Sequence, residues 1–157
     1  MKYTVRFAHM KNAPAWKVGD VIKRGDIIGV MGSTGKSTAT HLHIDCVEGE
    51  IKKPFMLNDM NKGNPKPNKN QLFFFIDEEL FGVEPYITTG YNDPDYFAEF
   101  GKWHPAYDVV PADRHETTKH FPIHWNRSYP GIVSLIVDEP KGYGHCIYIT
   151  FDTEVRQ

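Results

Sequence analysis

The chain has only two cysteines, Cys46 and Cys146, in 157 residues. Two thiols cannot build a disulfide framework, and both lie in strand-like runs, so both are expected to be buried and free. No apolar run approaches the roughly 20 residues of a membrane-spanning helix. No basic stripe exists and the net charge is −2, which argues against nucleic acid as the main partner. No signal-peptide pattern follows Met1. A role outside a cell would then need another route of delivery, or a larger parent protein. Internal repeats and low-complexity tracts are absent. There is no H-E-x-x-H helix, which excludes a thermolysin-type arrangement.

What remains is an ordinary globular composition, 40% hydrophobic, with a length that makes one domain with a real core. Thirteen glycines, eleven prolines, eight tyrosines and ten phenylalanines point to an all-β or β-rich domain with many turns. Tyr3 to His9 alternates and reads as a strand ending at His9-Met10. Val18-Gly19-Asp20-Val21 and Arg24-Gly25-Asp26-Ile27 each mark a tight turn between short strands. Ile132–Val137 and Cys146–Phe151, joined by Asp138–Gly144, read as a β-hairpin. Pro94–Phe100 reads as a helical turn started by its proline. Residues 50–70 are polar and rich in Pro, Gly and Asn, an irregular connection, and Leu72–Ile76 is a compact apolar segment.

Residues 29–48, GVMGSTGKSTATHLHIDCVE, organise the rest. His41-Leu42-His43 in a strand puts two imidazoles on one face, about 7 Å apart. That suits one ring binding a metal while the other works beside it. The preceding GSTGKST resembles a phosphate-binding loop. That loop needs glycine where Val30 stands, and a helix where no helical period follows. Two surface histidines on a strand would be the bland alternative. His104-Pro105-Ala106-Tyr107-Asp108 adds an H-x-x-x-D spacing that a bend at Pro105 can close onto one point. Three protein ligands and an open fourth position define a catalytic zinc site. His104, Asp108 and one histidine of the H-x-H pair form such a set, and both ligand types suit Zn2+. The bound water would be acidified toward a pKa of about 7. His115, His120 and His124 read as surface or cleft-wall residues, His145 as solvent-facing, and Trp16, Trp103 and Tyr107 as packing residues.

These motifs together resemble the LytM/lysostaphin-type zinc endopeptidases. Asp26-Ile27-Ile28-Gly29 through Ser37 is similar to the family's glycine-rich run before its H-x-H strand. Phe7-Ala8-His9-Met10 resembles its Y-x-H-L strand end, and His104 to Asp108 its H-x-G-x-D motif. The resemblance implies His43, His104 and Asp108 as zinc ligands, with His9 and His41 as the catalytic histidines. It also implies an antiparallel sheet with a groove, and hydrolysis of peptide bonds in bacterial peptidoglycan. Two departures stand out. Ala106 replaces a glycine, and the motif order is rotated, since His9 and His41/His43 precede His104/Asp108. Circular permutation accounts for this within a single domain, residues 1–157. Residues 1–48 and 103–157 would then form the core, and 49–102 a connecting segment. Exchange of these parts between two copies is the alternative. The missing signal and rotated order fit a phage tail or lysis module. A catalytically inactive binding or structural domain of such an assembly is the rival from another class. A lipoyl-like carrier, suggested by the doubled Gly-Asp turns, lacks a lysine at a hairpin tip.

Overall fold

The strands of this chain follow from its alternating apolar residues, and their pairing decides where the histidines go. The computed structural model describes residues 2–37, 39–48, 76–90, 94–102, 106–113, 120–152 and 154. In chain order these form β1 (Lys2–Met10), β2 (Val21–Ile22), β3 (Ile27–Val30), β4 (Leu42–Glu48), α1 (Glu78–Phe81) and β5 (Pro85–Thr89). Then follow α2 (Pro94–Phe100), β6 (Tyr107–Pro111), β7 (Pro122–His124), β8 (Gly131–Glu139) and β9 (Gly144–Asp152). Seven strands make one sheet in the order β2-β8-β9-β1-β4-β6-β5, and β3 pairs with β7 in a second. Every pairing among them is antiparallel. The β-rich antiparallel architecture expected from the sequence is the one found.

One face of the large sheet carries the core. Val5 and Phe7 of β1, Leu42 and Ile44 of β4, Val109 of β6 and Ile147 and Ile149 of β9 are all fully buried. Against them sits an aromatic cluster. Trp125 meets Phe7 edge-on at 6.4 Å, and meets Phe151 at 5.6 Å. Tyr3 and Tyr129 stack on the same Phe151 at 5.7 Å each. Rings in these geometries add to simple area burial. The indole N–H of Trp125 is satisfied by the carbonyl of Tyr129 at 2.7 Å, which removes the cost of burying it.

The two Gly-Asp turns are copies of one device. The Asp20 carboxylate accepts from the Lys17 amide at 2.8 Å, and Asp26 accepts from the Lys23 amide at 2.8 Å. Gly19 and Gly25 adopt φ of 97° and 91°, values that a side chain resists. The hairpin of β8 and β9 and the helix starting at Pro94 are also as read from the sequence.

Residues 76–90 lie in the stretch read as a connecting segment, and they are built into the fold. Ile76, Leu80 and Phe81 join the core, and β5 pairs with β6 at the sheet edge. Asp77 caps α1 by accepting from the Glu79 amide, and Gly82 ends it with φ of 77°. The irregular stretch 50–70 and most of the apolar segment 72–76 fall outside the described residues. Cys46 and Cys146 are buried and form no disulfide with each other, and burial pushes the Cys146 thiol up to about 12, beyond reach as a nucleophile.

The loop before β4 locks onto the β8–β9 hairpin. A Cβ on Gly35 would strike the Gly144 nitrogen and the Gly142 carbonyl, and one on Gly144 would strike Thr34. Both glycines have positive φ, 75° and 65°. Gly35→Ala should therefore lower the unfolding midpoint by several degrees or block folding, measured by thermal denaturation. Leu80→Ala should cost about 2–5 kcal/mol, read from the same curves, because α1 belongs to the core and not to a loose connection.

Candidate active site

The opposite face of the sheet is polar, and strand register assembles it. Directly opposed residues on neighbouring strands share a face. Arg6 stands opposite Asp45 and Ala8 opposite His43 across β1 and β4. His43 stands opposite Asp108 across β4 and β6. The H-x-x-x-D aspartate is therefore presented from a strand, with His43 Nδ1 3.1 Å from Asp108 Oδ1. Residues from the two halves of the chain meet within a single copy.

His9 reaches this face only by breaking the alternation of β1. Val5 and Phe7 point into the core, so a regular strand would send His9 there too. Instead the register with β9 shifts between Phe7 and Met10. His9 takes φ of 60°, and no other non-glycine among the described residues has a positive φ. Its amide donates to the Tyr143 carbonyl at 2.8 Å. This bulge turns the imidazole to the polar face, and Met10 takes the core position, fully buried. The His9 ring centroid lies 4.9 Å from that of His41 and 5.9 Å from that of His43.

His41 precedes β4 and is held by an isolated bridge to Gly32. Its Nε2 is 3.7 Å from Asp108 Oδ1. The strand extends H-x-H as expected only from Leu42 on, yet both rings face the same carboxylate. Carbonyl partners assign the protons. A carbonyl only accepts, so His9 Nδ1 donates to Thr34 O at 2.7 Å and His41 Nδ1 to Ala39 O at 2.9 Å. In the neutral rings, Nε2 of each is left with the lone pair.

Charge around the cluster is uneven. Burial pushes His9 below the ordinary histidine range, against the raising effect of its bond to Thr34, so it is neutral at pH 7. Burial would lower His43 as well, but the hydrogen bonds and charges of Asp108 and Asp45 prevail and raise it to about 9. Asp45 is lowered because His43 and Arg6 outweigh its burial.

The structure thus brings together His9, His41, His43 and Asp108. His104, like His115 and Trp103, lies outside the described residues. Among the described residues, no group of three or more His, Cys, Asp or Glu side chains is arranged to hold a metal. The pair His43 Nδ1 and Asp108 Oδ1 does suit a shared ion. Two ligands on a tetrahedral ion with bonds of about 2.0–2.2 Å stand about 3.3–3.6 Å apart, a few tenths of an ångström more than the 3.1 Å between these atoms. Ala106, where the family pattern has glycine, is fully buried. His120 and His124 bond to the carbonyls of Met31 and Leu80. His145, read as solvent-facing, is half-buried, 3.7 Å from Asp138. Tyr107 and Trp16 are packing residues as read.

Sequence reading missed Arg6, Asp45, Thr34 and Tyr143. Asp45 was legible in principle, because it follows His43 by two residues and so shares its face. Tyr143 was not, since only the hairpin's fold brings its ring 5.1 Å from that of His43.

The fold and the site define a class: an antiparallel β-sheet protein with a histidine–carboxylate cluster on one face. Residues 1–54 match the model of Peptidase family M23. This span of a third of the chain contains His9, His41 and His43, and the residues on which the resemblance to LytM-type peptidases rests at that end. Asp108 lies beyond it. No solved structure matches the chain significantly.

The raised His43 has a consequence for stability. With EDTA present, its contribution is full below the unfolded value near 6.5 and is lost as pH rises through about 9. The loss should be on the order of 2–3 kcal/mol. His9, shifted the other way, contributes above about 6.5 and loses that contribution as pH falls. Urea titrations at pH 6.5 and 9.5 should show the loss in the wild type, and little of it in His43→Gln.

Proposed function

We propose that this protein is a zinc-dependent endopeptidase that hydrolyses peptide bonds in bacterial cell-wall peptidoglycan. The observation that carries the reading is the meeting of His9, His41, His43 and Asp108 on one face, from three strands and a loop. The match of residues 1–54 to a peptidase family supports it. His43 through Nδ1, Asp108 and His104 would hold the zinc. Bound there, zinc would supply a Lewis acid and a water acidified to near neutrality.

The protein's own groups do the rest. His9 is neutral at pH 7 with the Nε2 lone pair available, so it accepts a proton from the attacking water. His41, with Nδ1 fixed on Ala39 O, presents Nε2 to the other side of the reacting carbon. Its Nε2 faces the developing oxyanion, while His9 returns the proton taken from water to the departing amine. Tyr143 walls the cluster from the hairpin side, 6.1 Å from His9 and 5.1 Å from His43 between ring centroids. Its carbonyl fixes the His9 backbone.

We read the rotated motif order as circular permutation. β9 and β1 are antiparallel neighbours with Asp152 opposite Lys2, as two strands joined by a hairpin would be. A phage tail or lysis module remains our reading of its setting. No helix among the described residues is long and apolar enough to cross a membrane.

Purified protein should contain one zinc per chain and clear suspensions of cell walls, with His43→Ala losing both. His9→Ala should keep its zinc and lose activity by about 10²–10⁴-fold. Wall fragments identified by mass spectrometry should carry new amino termini. Bound zinc without any new termini across walls of several species would favour the binding-domain rival.

A further inference from the structure

Asp45 has no part in the chemistry above, yet it is a charged side chain almost wholly inside, 6% exposed. It stands behind His43. Its Oδ1 is 3.6 Å from His43 Nε2, while His43 Nδ1, on the other side of the ring, faces Asp108 at 3.1 Å. Arg6 grips both carboxylate oxygens, Nε to Oδ1 at 2.9 Å and Nη2 to Oδ2 at 2.5 Å. Arg6 is itself clamped. Its guanidinium carbon lies 3.7 Å over the Tyr143 ring, and Nη1 donates to the Tyr148 hydroxyl at 3.2 Å.

We propose that Asp45, locked in place by Arg6, is a positioning residue: it keeps the His43 proton on Nε2, so that Nδ1 is presented to the metal. The inference rests on the zinc reading above. A neutral imidazole has one lone pair, and a metal can take it only if the other nitrogen keeps the proton. The Asp45 carboxylate, 3.6 Å from Nε2 and so farther than a hydrogen bond, acts through its charge, which favours a proton there and repels a lone pair. Arg6 lets Asp45 stay ionised in a buried place, because a guanidinium does not give up its proton. It also fixes the carboxylate in its place behind the ring. The stacked Tyr143 then ties this support to the hairpin that holds His9, and so connects His43 and His9 through one arginine.

A cross-strand ion pair serving the fold alone would behave differently. Replacing both partners of such a pair with apolar residues is often harmless to stability. The test uses the full chain, with Arg6→Leu/Asp45→Leu as a double variant and Asp45→Asn as a near-isosteric single variant. Circular dichroism and cooperative unfolding establish that each is folded. Zinc affinity is measured by competition with a chromophoric chelator. The double variant should bind zinc about 10–100-fold more weakly, and Asp45→Asn should fall between it and the wild type. In zinc-loaded protein labelled with 15N-histidine, the wild type should show a slowly exchanging proton on His43 Nε2 that the double variant lacks. Should the double variant not fold, Asp45→Asn carries the same two readouts. Wild-type zinc affinity within twofold and an unchanged Nε2 proton in these variants would overturn the inference and leave a structural ion pair. A wild type that takes up no zinc would overturn the metal reading, and this one with it.

Discussion

A single backbone hydrogen bond, from the His9 amide to the Tyr143 carbonyl, decides what the polar face of this sheet can do. It holds His9 in a left-handed conformation that costs an ordinary residue on the order of 1 kcal/mol or more. Without it, β1 would continue its alternation and bury the imidazole among Phe7 and its neighbours. The strain is sustained by the hairpin beneath. Gly35 and Gly144 let two backbones approach too closely for any side chain between them, and Thr34 ties the loop to both sides. Its hydroxyl donates to Met10 O and accepts from the His145 amide.

Around that fixed point, charge is arranged in a chain. Arg6, Asp45, His43 and Asp108 follow one another across β1, β4 and β6, alternating in sign when His43 is protonated. Each buried charge thus has an opposite neighbour, which is the condition for keeping ions out of water. The end of the chain at Asp108 is the more open one, its side chain 19% exposed against 8% for Asp45. The arrangement therefore has a closed, supporting end and an open end where His41 also points. An ion or a reacting group would enter at the open end, and the closed end would hold the ligands still.

Much of this was legible from residues alone. Alternation gave β1, β8 and β9, the Gly-Asp pairs gave two turns, and H-x-H gave two imidazoles near one carboxylate. The stretch after β4, residues 49–102, reads as a connecting segment because polar and turn-forming residues fill its first half. The strand Pro85–Thr89 inside it is short, and α1 is a single turn. Elements of that size leave a weak periodic signal, and their place is fixed by contacts distant in sequence. Asp108 was placed on a bent loop because Pro105 suggests a bend. The β-branched run after it, Val109-Val110, pulled it into β6 instead.

The sequence by itself determined the residue types that gather at the site and the β-rich class, because period-two patterning and turn chemistry are local properties of the chain. Only the tertiary structure decided that Asp108 faces His43, that Asp45 stands behind the same ring, and that His9 turns to join them. Strand register and a bulge set those facts. Both depend on which strands pair across long separations, 65 residues between His43 and Asp108 and more between β1 and β9, where Lys2 stands opposite Asp152, and no local pattern encodes that choice.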